Sequence, residues 1–234
     1  MNGLNHTVKA FDDDLNRLRG LVSEMGARAG HALIAAITAL EQGDIAAADQ
    51  VVAEDVRLDE LEAEIEALVV QTIALRAPMA DDLRSVIAAL KISAVLERIG
   101  DYAKSIAKRT PLLTDRRIKA LPLLRTMTGQ AEEILRDVMQ AYASGDADLA
   151  QRAAARDKNV DEFYNSIFRA LTSHMVENPH LITECAHLLF AAKNVERAGD
   201  HATNVAEMVY YAATGDHMEE REKGTSPLDP GTGK

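Results

Sequence analysis

The chain repeats itself, and the repeat constrains the fold more than any other feature. Glu97-Arg98-Ile99-Gly100-Asp101-Tyr102 and Glu196-Arg197-Ala198-Gly199-Asp200-His201 share one frame at an offset of 99 residues. The duplication extends beyond the hexapeptide. Met25 aligns with Met127, Gly43-Asp44 with Gly145-Asp146, Asp55 with Asp157, and Asp59-Glu60 with Asp161-Glu162, all at an offset of 102. Pro78 and Pro179 stand 101 apart. The shrinking offset places a short deletion in the second copy near the Pro-containing turn, where loops absorb length changes most easily. The chain is therefore two related halves.

Within each half, apolar residues recur at helical spacing. Leu15, Leu18, Val22, Met25, Ala29, Leu33, Ile37 and Leu40 predict a helix from about residue 8 to 40. Gln42-Gly43-Asp44 supplies a stop and a new cap. A second pattern runs from Val51 to Arg76, where Ala77-Pro78 breaks it, and a third from Asp81 to Arg109. The second half predicts helices over about 121–143, 146–177 and 181–213. Trp is absent and aromatics are 4%, while Ala and Leu dominate, which suits close helix packing and not strands. The predicted class is all-α: a duplicated three-helix bundle, with six long helices in two similar antiparallel bundles. The expected organisation is a first bundle at 5–110, a linker at 111–120, a second bundle at 121–213 and a disordered tail at 214–234.

With 234 residues, 47% of them hydrophobic, the chain has material for two cores without disulfides. The one cysteine, Cys185, cannot form an intrachain bridge, and no basic-plus-apolar leader opens the sequence, so a cytoplasmic setting is expected. Apolar runs such as 32–40 fall far short of the roughly 18 residues of a membrane span, so no direct membrane insertion is expected. A net charge of −11 argues against nucleic acid as a partner and favours cations or basic protein surfaces.

The chemistry lies in the carboxylates. Glu97/Asp101 and Glu196/Asp200 are i, i+4 pairs on a helix face, where like charges repel, and each turn also carries a glycine that costs about 1 kcal/mol against Ala. Asp55/Asp59 and Asp157/Asp161 form further i, i+4 pairs on the preceding helix. Counting from Pro78, Asp59 lies 19 residues back and Glu97 19 forward, while Asp55 and Asp101 both lie at 23, so a helical hairpin sets them level. In the second half Asp161 lies 18 residues before Pro179 and Glu196 17 after it. Four carboxylates per bundle then require a cation or raised pKa values. Oxygen donors of this kind suit iron, manganese, magnesium, calcium or zinc.

Other residues carry weaker signals. Asn204, four after Asp200, is a candidate additional oxygen donor. His201 reads as an exposed or packing residue, Cys185 as a buried small hydrophobe, and Arg84 as a local partner of Asp81. Glu184-x-x-His187 has the spacing of di-iron helices, but its counterparts in the first half are Ser85 and Ala88. No phosphate loop, nucleophile triad or cysteine-rich pattern is present, and no enzyme is expected.

The two hexapeptides, together with Asp81-Asp82-Leu83-Arg84 and Gly43-Asp44, resemble the PhoU family over about residues 5–213. The resemblance implies a duplicated three-helix bundle with multinuclear metal clusters, iron or zinc, on its surface. It implies Asp55, Asp59, Glu97 and Asp101 at one cluster and Asp157, Asp161, Glu196 and Asp200 at the other. It also implies a negative regulator of phosphate uptake and phosphate-starvation signalling. In that role the chain is an adaptor between the ATPase subunit of the phosphate ABC transporter and the sensor histidine kinase of the phosphate regulon. It would reach the inner membrane face through those partners alone. A homodimer is expected, since long helical rods bury leftover apolar stripes by pairing. The alternative is a carboxylate-bridged multinuclear metal enzyme or a metal storage protein.

Overall fold

A computed structural model describes residues 2–115, 118 and 120–219, with side chains from residue 10 onward. Eight α-helices occur among these residues: α1 (Asn2–Gln42), α2 (Ile45–Glu54), α3 (Val56–Arg76), α4 (Asp81–Ala107), α5 (Leu121–Ser144), α6 (Ala147–Ala154), α7 (Asp157–Glu177) and α8 (Ile182–Thr214). Short 3-10 turns occupy Thr110–Leu112 and Pro179–Leu181, and no strand occurs among the described residues.

The two Gly-Asp signals behave alike. Gly43 and Gly145 sit at φ 70° and 68°, the left-handed region that ends a helix at least cost with glycine. The following Asp44 and Asp146 then cap α2 and α6, accepting from the Ala47 N–H at 3.0 Å and the Leu149 N–H at 2.9 Å.

The middle helix of each half differs from the continuous helix that periodicity predicts. It is interrupted at Asp55 in the first half and at Ala155-Arg156 in the second. At the first break the Leu58 N–H reaches the Asp55 carbonyl at 2.8 Å, an i+3 bond that tightens the turn. At the second, the Asn159 N–H reaches the Arg156 carbonyl at 3.0 Å. Neither break contains Gly or Pro, so apolar spacing continues across it. The available signal was the acidic residue itself, since Asp favours helix starts.

α4 and α8 run antiparallel at the centre. Arg84 meets Gly215, Tyr102 meets His201, Ser105 meets Asn194 and Arg109 meets Phe190. α1 lies along both α4 and α5, and α5 along α8. Met139 of α5 stands where a Cβ on Gly26 would come within 2.7 Å of it, so glycine permits that close approach. Buried residues of both halves, including Leu18, Ile65, Ile99, Ile134, Ile167 and Val205, form one continuous hydrophobic cluster. Cys185 is fully buried in it, as a small hydrophobe.

The described part of the expected 111–120 linker begins with the 3-10 turn, and Arg116, Arg117 and Lys119 lie outside the described residues. Of the tail expected at 214–234, Thr214 ends α8, residues 215–219 are non-helical, and 220–234 lie outside the described residues.

Candidate metal centres

Each site forms where a helix break faces a glycine. In the first half, Asp55 is only 6% exposed and points at α4 beside Gly100. A Cβ on Gly100 would fall 2.2 Å from Leu58 Cδ1 and 3.5 Å from Asp55 Oδ1. In the second, Asp157 is equally buried, and a Cβ on Gly199 would fall 2.9 Å from its Oδ1. The glycine of each hexapeptide is thus the space that the carboxylate of the neighbouring helix occupies.

Around Asp55 the structure gathers the remaining first-half candidates. Lys104 donates to Asp55, and its ammonium lies 3.7 Å from Asp101 Oδ1. Glu97 is pushed up to about 7, first by burial, then by the neighbouring Asp101 and Glu62 charges, a hydrogen bond with Asp101, and the Asp59 charge. Glu62 is raised by burial and by Glu66 and Asp59, with Arg98 opposing. Glu62 is a member that sequence reasoning missed. It lies three residues after Asp59, but its counterpart in the second half is Tyr164, so comparing the repeats conceals it.

The second site is arranged differently. Lys193 donates to Glu196 Oε1 at 2.7 Å, and Lys193 also lies 5.3 Å from the centre of the Tyr164 ring. Glu196 is buried, and its Oε2 has no hydrogen-bond partner. Burial raises its pKa foremost, Lys193 lowers it, and Asp200 and Asp161 raise it again. The hexapeptide offset carries Lys104 to Thr203 and Lys193 to Ala94, so each half supplies its internal cation from a different position.

The donors are carboxylates beside a cradle that a Cβ would fill, which suits a hard or borderline cation. An ammonium holds a carboxylate at each site, Lys104 on Asp55 and Lys193 on Glu196, and among the described residues no three acidic, His or Cys side chains converge closely enough to hold an ion as they stand. Asn204 turns to His201, with Nδ2 3.4 Å from Nδ1. Glu184 accepts from Thr114 Oγ1 at 2.7 Å, which lowers its pKa, and is not drawn into either site. Arg84 pairs with Asp81 at 2.7 Å, as its spacing predicts.

These features define a class: a tandem helical-bundle protein with one carboxylate-and-glycine site per bundle. The chain belongs to the PhoU family, since the PhoU domain profile matches residues 22–110 and 124–209, one match per half. It is 50% identical to the phosphate-specific transport system accessory protein PhoU homolog of Zymomonas mobilis, over 96% of this chain and 95% of that protein. It is 45% identical to the Caulobacter vibrioides homolog, over 91% and 94%. Crystal structures of PhoU from Pseudomonas aeruginosa (33% identity, TM-score 0.75, 91% of this chain and 99% of that one) and from Streptococcus pneumoniae (25%, 0.83, 90% and 100%) share its fold.

Proposed function

We propose that this chain is an accessory regulatory protein of a phosphate-specific transport system. It works in the cytoplasm as a non-enzymatic adaptor between the transporter ATPase and the sensor histidine kinase of the phosphate regulon, and restrains uptake and starvation signalling when phosphate is plentiful. The carrying observation is correspondence over nearly the whole length with accessory proteins of that system, in both halves. The described helices support a role away from the bilayer interior, since none is long and apolar enough to cross a membrane. Exposed apolar side chains on the α3–α4 hairpin, Val70, Leu75 and Met79, offer contact area for partners or for a second copy of the chain. Deleting the gene and measuring phosphate uptake and a phosphate-starvation reporter in phosphate-replete medium tests the reading. Both rise if it is right, and unchanged values overturn it.

The two acidic sites are proposed to take iron or zinc as multinuclear clusters, with Asp55, Asp59, Glu97 and Asp101 at one and Asp157, Asp161, Glu196 and Asp200 at the other. Lys104 and Lys193 act as resident counter-ions that an arriving metal displaces. The cradles at Gly100 and Gly199 and the orphaned Oε2 of Glu196 support this. Metal analysis of untagged protein, beside a variant carrying Ala at Glu97, Asp101, Glu196 and Asp200, is the test. Metal present in the wild type and lost in the variant supports the sites, and equal metal in both overturns them.

A further inference from the structure

The two ends of the α4–α8 pair are equivalent under the duplication, yet among the described residues one is filled and the other is open. At the filled end the Arg109 guanidinium lies over the Phe190 ring, 5.3 Å from its centre, and Asn194 donates to Ser105 Oγ at 3.1 Å. The chain then turns back through Thr110–Leu112. The hexapeptide offset puts Lys91 in the place of Phe190 and Met208 in the place of Arg109. No such stack forms there, and a groove of about 700 Å³ remains between the start of α4 and the end of α8. That volume is in the range of small-molecule sites, roughly 300–1,000 Å³.

Its lining is amphipathic. Leu83, Ile87 and Met208 make an apolar floor, and the Tyr211 ring stacks on His217 with centres 5.1 Å apart and 16° between planes. On a protein of net charge −11, Arg84, which is paired with Asp81, and Lys91 line the rim beside His217, with Glu207 the one acid among the described lining residues. Arg84 gives Nη2 to Asp81 at 2.7 Å and lies 3.4 Å from where a Cβ on Gly215 would stand. Its Nε is buried without a hydrogen-bond partner and out of a ligand's direct reach, while the side chain as a whole keeps 27% exposure at which an oxyanion can meet it. At the far end Asn204, whose Nδ2 lies 3.4 Å from His201 Nδ1, and Glu207 line the groove. Apart from Ala80 and His217 the lining residues are helical, so an extended peptide finds few main-chain partners here. A partly exposed guanidinium, an apolar floor and an amide–carboxylate pair are what a phosphate joined to a sugar and a base requires.

We propose that this groove binds a nucleoside monophosphate. The phosphate meets Arg84 at the His217 end, the sugar and base lie over Ile87 and Met208, and Asn204 and Glu207 read the edge of the base. The site shares none of the eight carboxylates of the acidic centres. Isothermal titration of full-length, metal-free protein with AMP and GMP, and with adenosine, guanosine and inorganic phosphate as separate parts, tests it. At least one nucleotide binds once per chain and tenfold or more tighter than either of its parts. Arg84→Gln weakens that binding at least tenfold, whereas Arg109→Gln at the filled end changes it less than twofold. Because Arg84 also holds the turn through Asp81, Ile87→Trp serves as a second variant that fills the floor, and it abolishes binding. No binding of either nucleotide, inorganic phosphate binding as tightly as the nucleotide, or retained affinity in Ile87→Trp overturns the proposal.

Discussion

Tyr102 and His201, the closing residues of hexapeptides 99 apart, touch each other: Tyr102 Oη lies 2.8 Å from His201 Nε2, and the rings stack with centres 5.5 Å apart and 20° between planes. Equivalent positions of the duplication therefore meet at the contact between α4 and α8, and the two acidic sites flank a shared axis. Burial, together with the charge of Arg98, pushes the His201 imidazole down, so the neutral ring is favoured at this contact. Tyr102→Phe removes one hydrogen bond and is expected to cost about 1 kcal/mol, with His201→Phe similar. The double variant should cost less than the sum, leaving a coupling of about 1 kcal/mol in urea denaturation. Strict additivity would mean that the pair does not join the halves.

The glycines provide an internal comparison. Gly129 lies inside α5 with nothing within 4 Å of a built Cβ, so Gly129→Ala should stabilise by up to about 1 kcal/mol through helix propensity alone. Gly199→Ala gains the same propensity but drives a methyl to 2.9 Å from Asp157 Oδ1, and Gly100→Ala drives one to 2.2 Å from Leu58 Cδ1. Overpacking of this kind costs about 1–3 kcal/mol, so both variants should be net neutral to destabilised, and both should lose bound metal. Thermal unfolding ranks the three. Equal stabilisation in all of them would show that the close approach is not tight.

How far the sequence revealed this arrangement depends on which signals are local. Helix ends at Gly43-Asp44 and Gly145-Asp146 were legible because turn and cap chemistry is written in adjacent residues. The level heights of Asp59 and Glu97 followed from counting along a hairpin, and in the structure the charges of Asp59 and Asp101 both raise the Glu97 pKa. The breaks at Asp55 and at Ala155-Arg156 were barely legible, because apolar spacing runs through them and the acidic residue beside each was the one local signal. Lys193 was hidden for a related reason. It has no counterpart in the other half, where the equivalent position is Ala94, so the repeat gave no hint of it. The Tyr102–His201 contact depends on how one half docks on the other, which the spacing within a half does not encode.

The resident lysines make a distinct prediction. Lys104→Met leaves the Asp55 carboxylate, 6% exposed, without its ammonium, and should destabilise metal-free protein by about 2 kcal/mol, less than a fully buried pair because Lys104 is 30% exposed. The same change removes a competitor for the site, so added divalent metal should raise the melting temperature more in Lys104→Met than in wild type. Lys193→Met should act likewise at Glu196. A variant that loses both stability and its response to metal would instead make the lysine a structural strut.

Glu97 sets the pH dependence of the metal-free protein. Its folded-state pKa, about 7, stands above the ordinary 4.5, so between those values the folded chain holds a proton that the unfolded chain has released. The stability that Glu97 contributes is therefore fullest below about 4.5, falls as pH rises through the window and is gone above 7. Because Glu97 is only partly buried, screening reduces the change to the order of 1 kcal/mol. Glu196, raised chiefly by burial, adds in the same direction. Glu97→Gln, neutral at every pH, should flatten the decline measured by urea denaturation from pH 5 to 7.5. Bound divalent metal should reverse the decline in the wild type, since a cation favours the ionised carboxylates and binds better as protons leave. An unchanged slope in Glu97→Gln would assign the proton to another group, with Glu62, raised by burial beside Asp59, the next to replace.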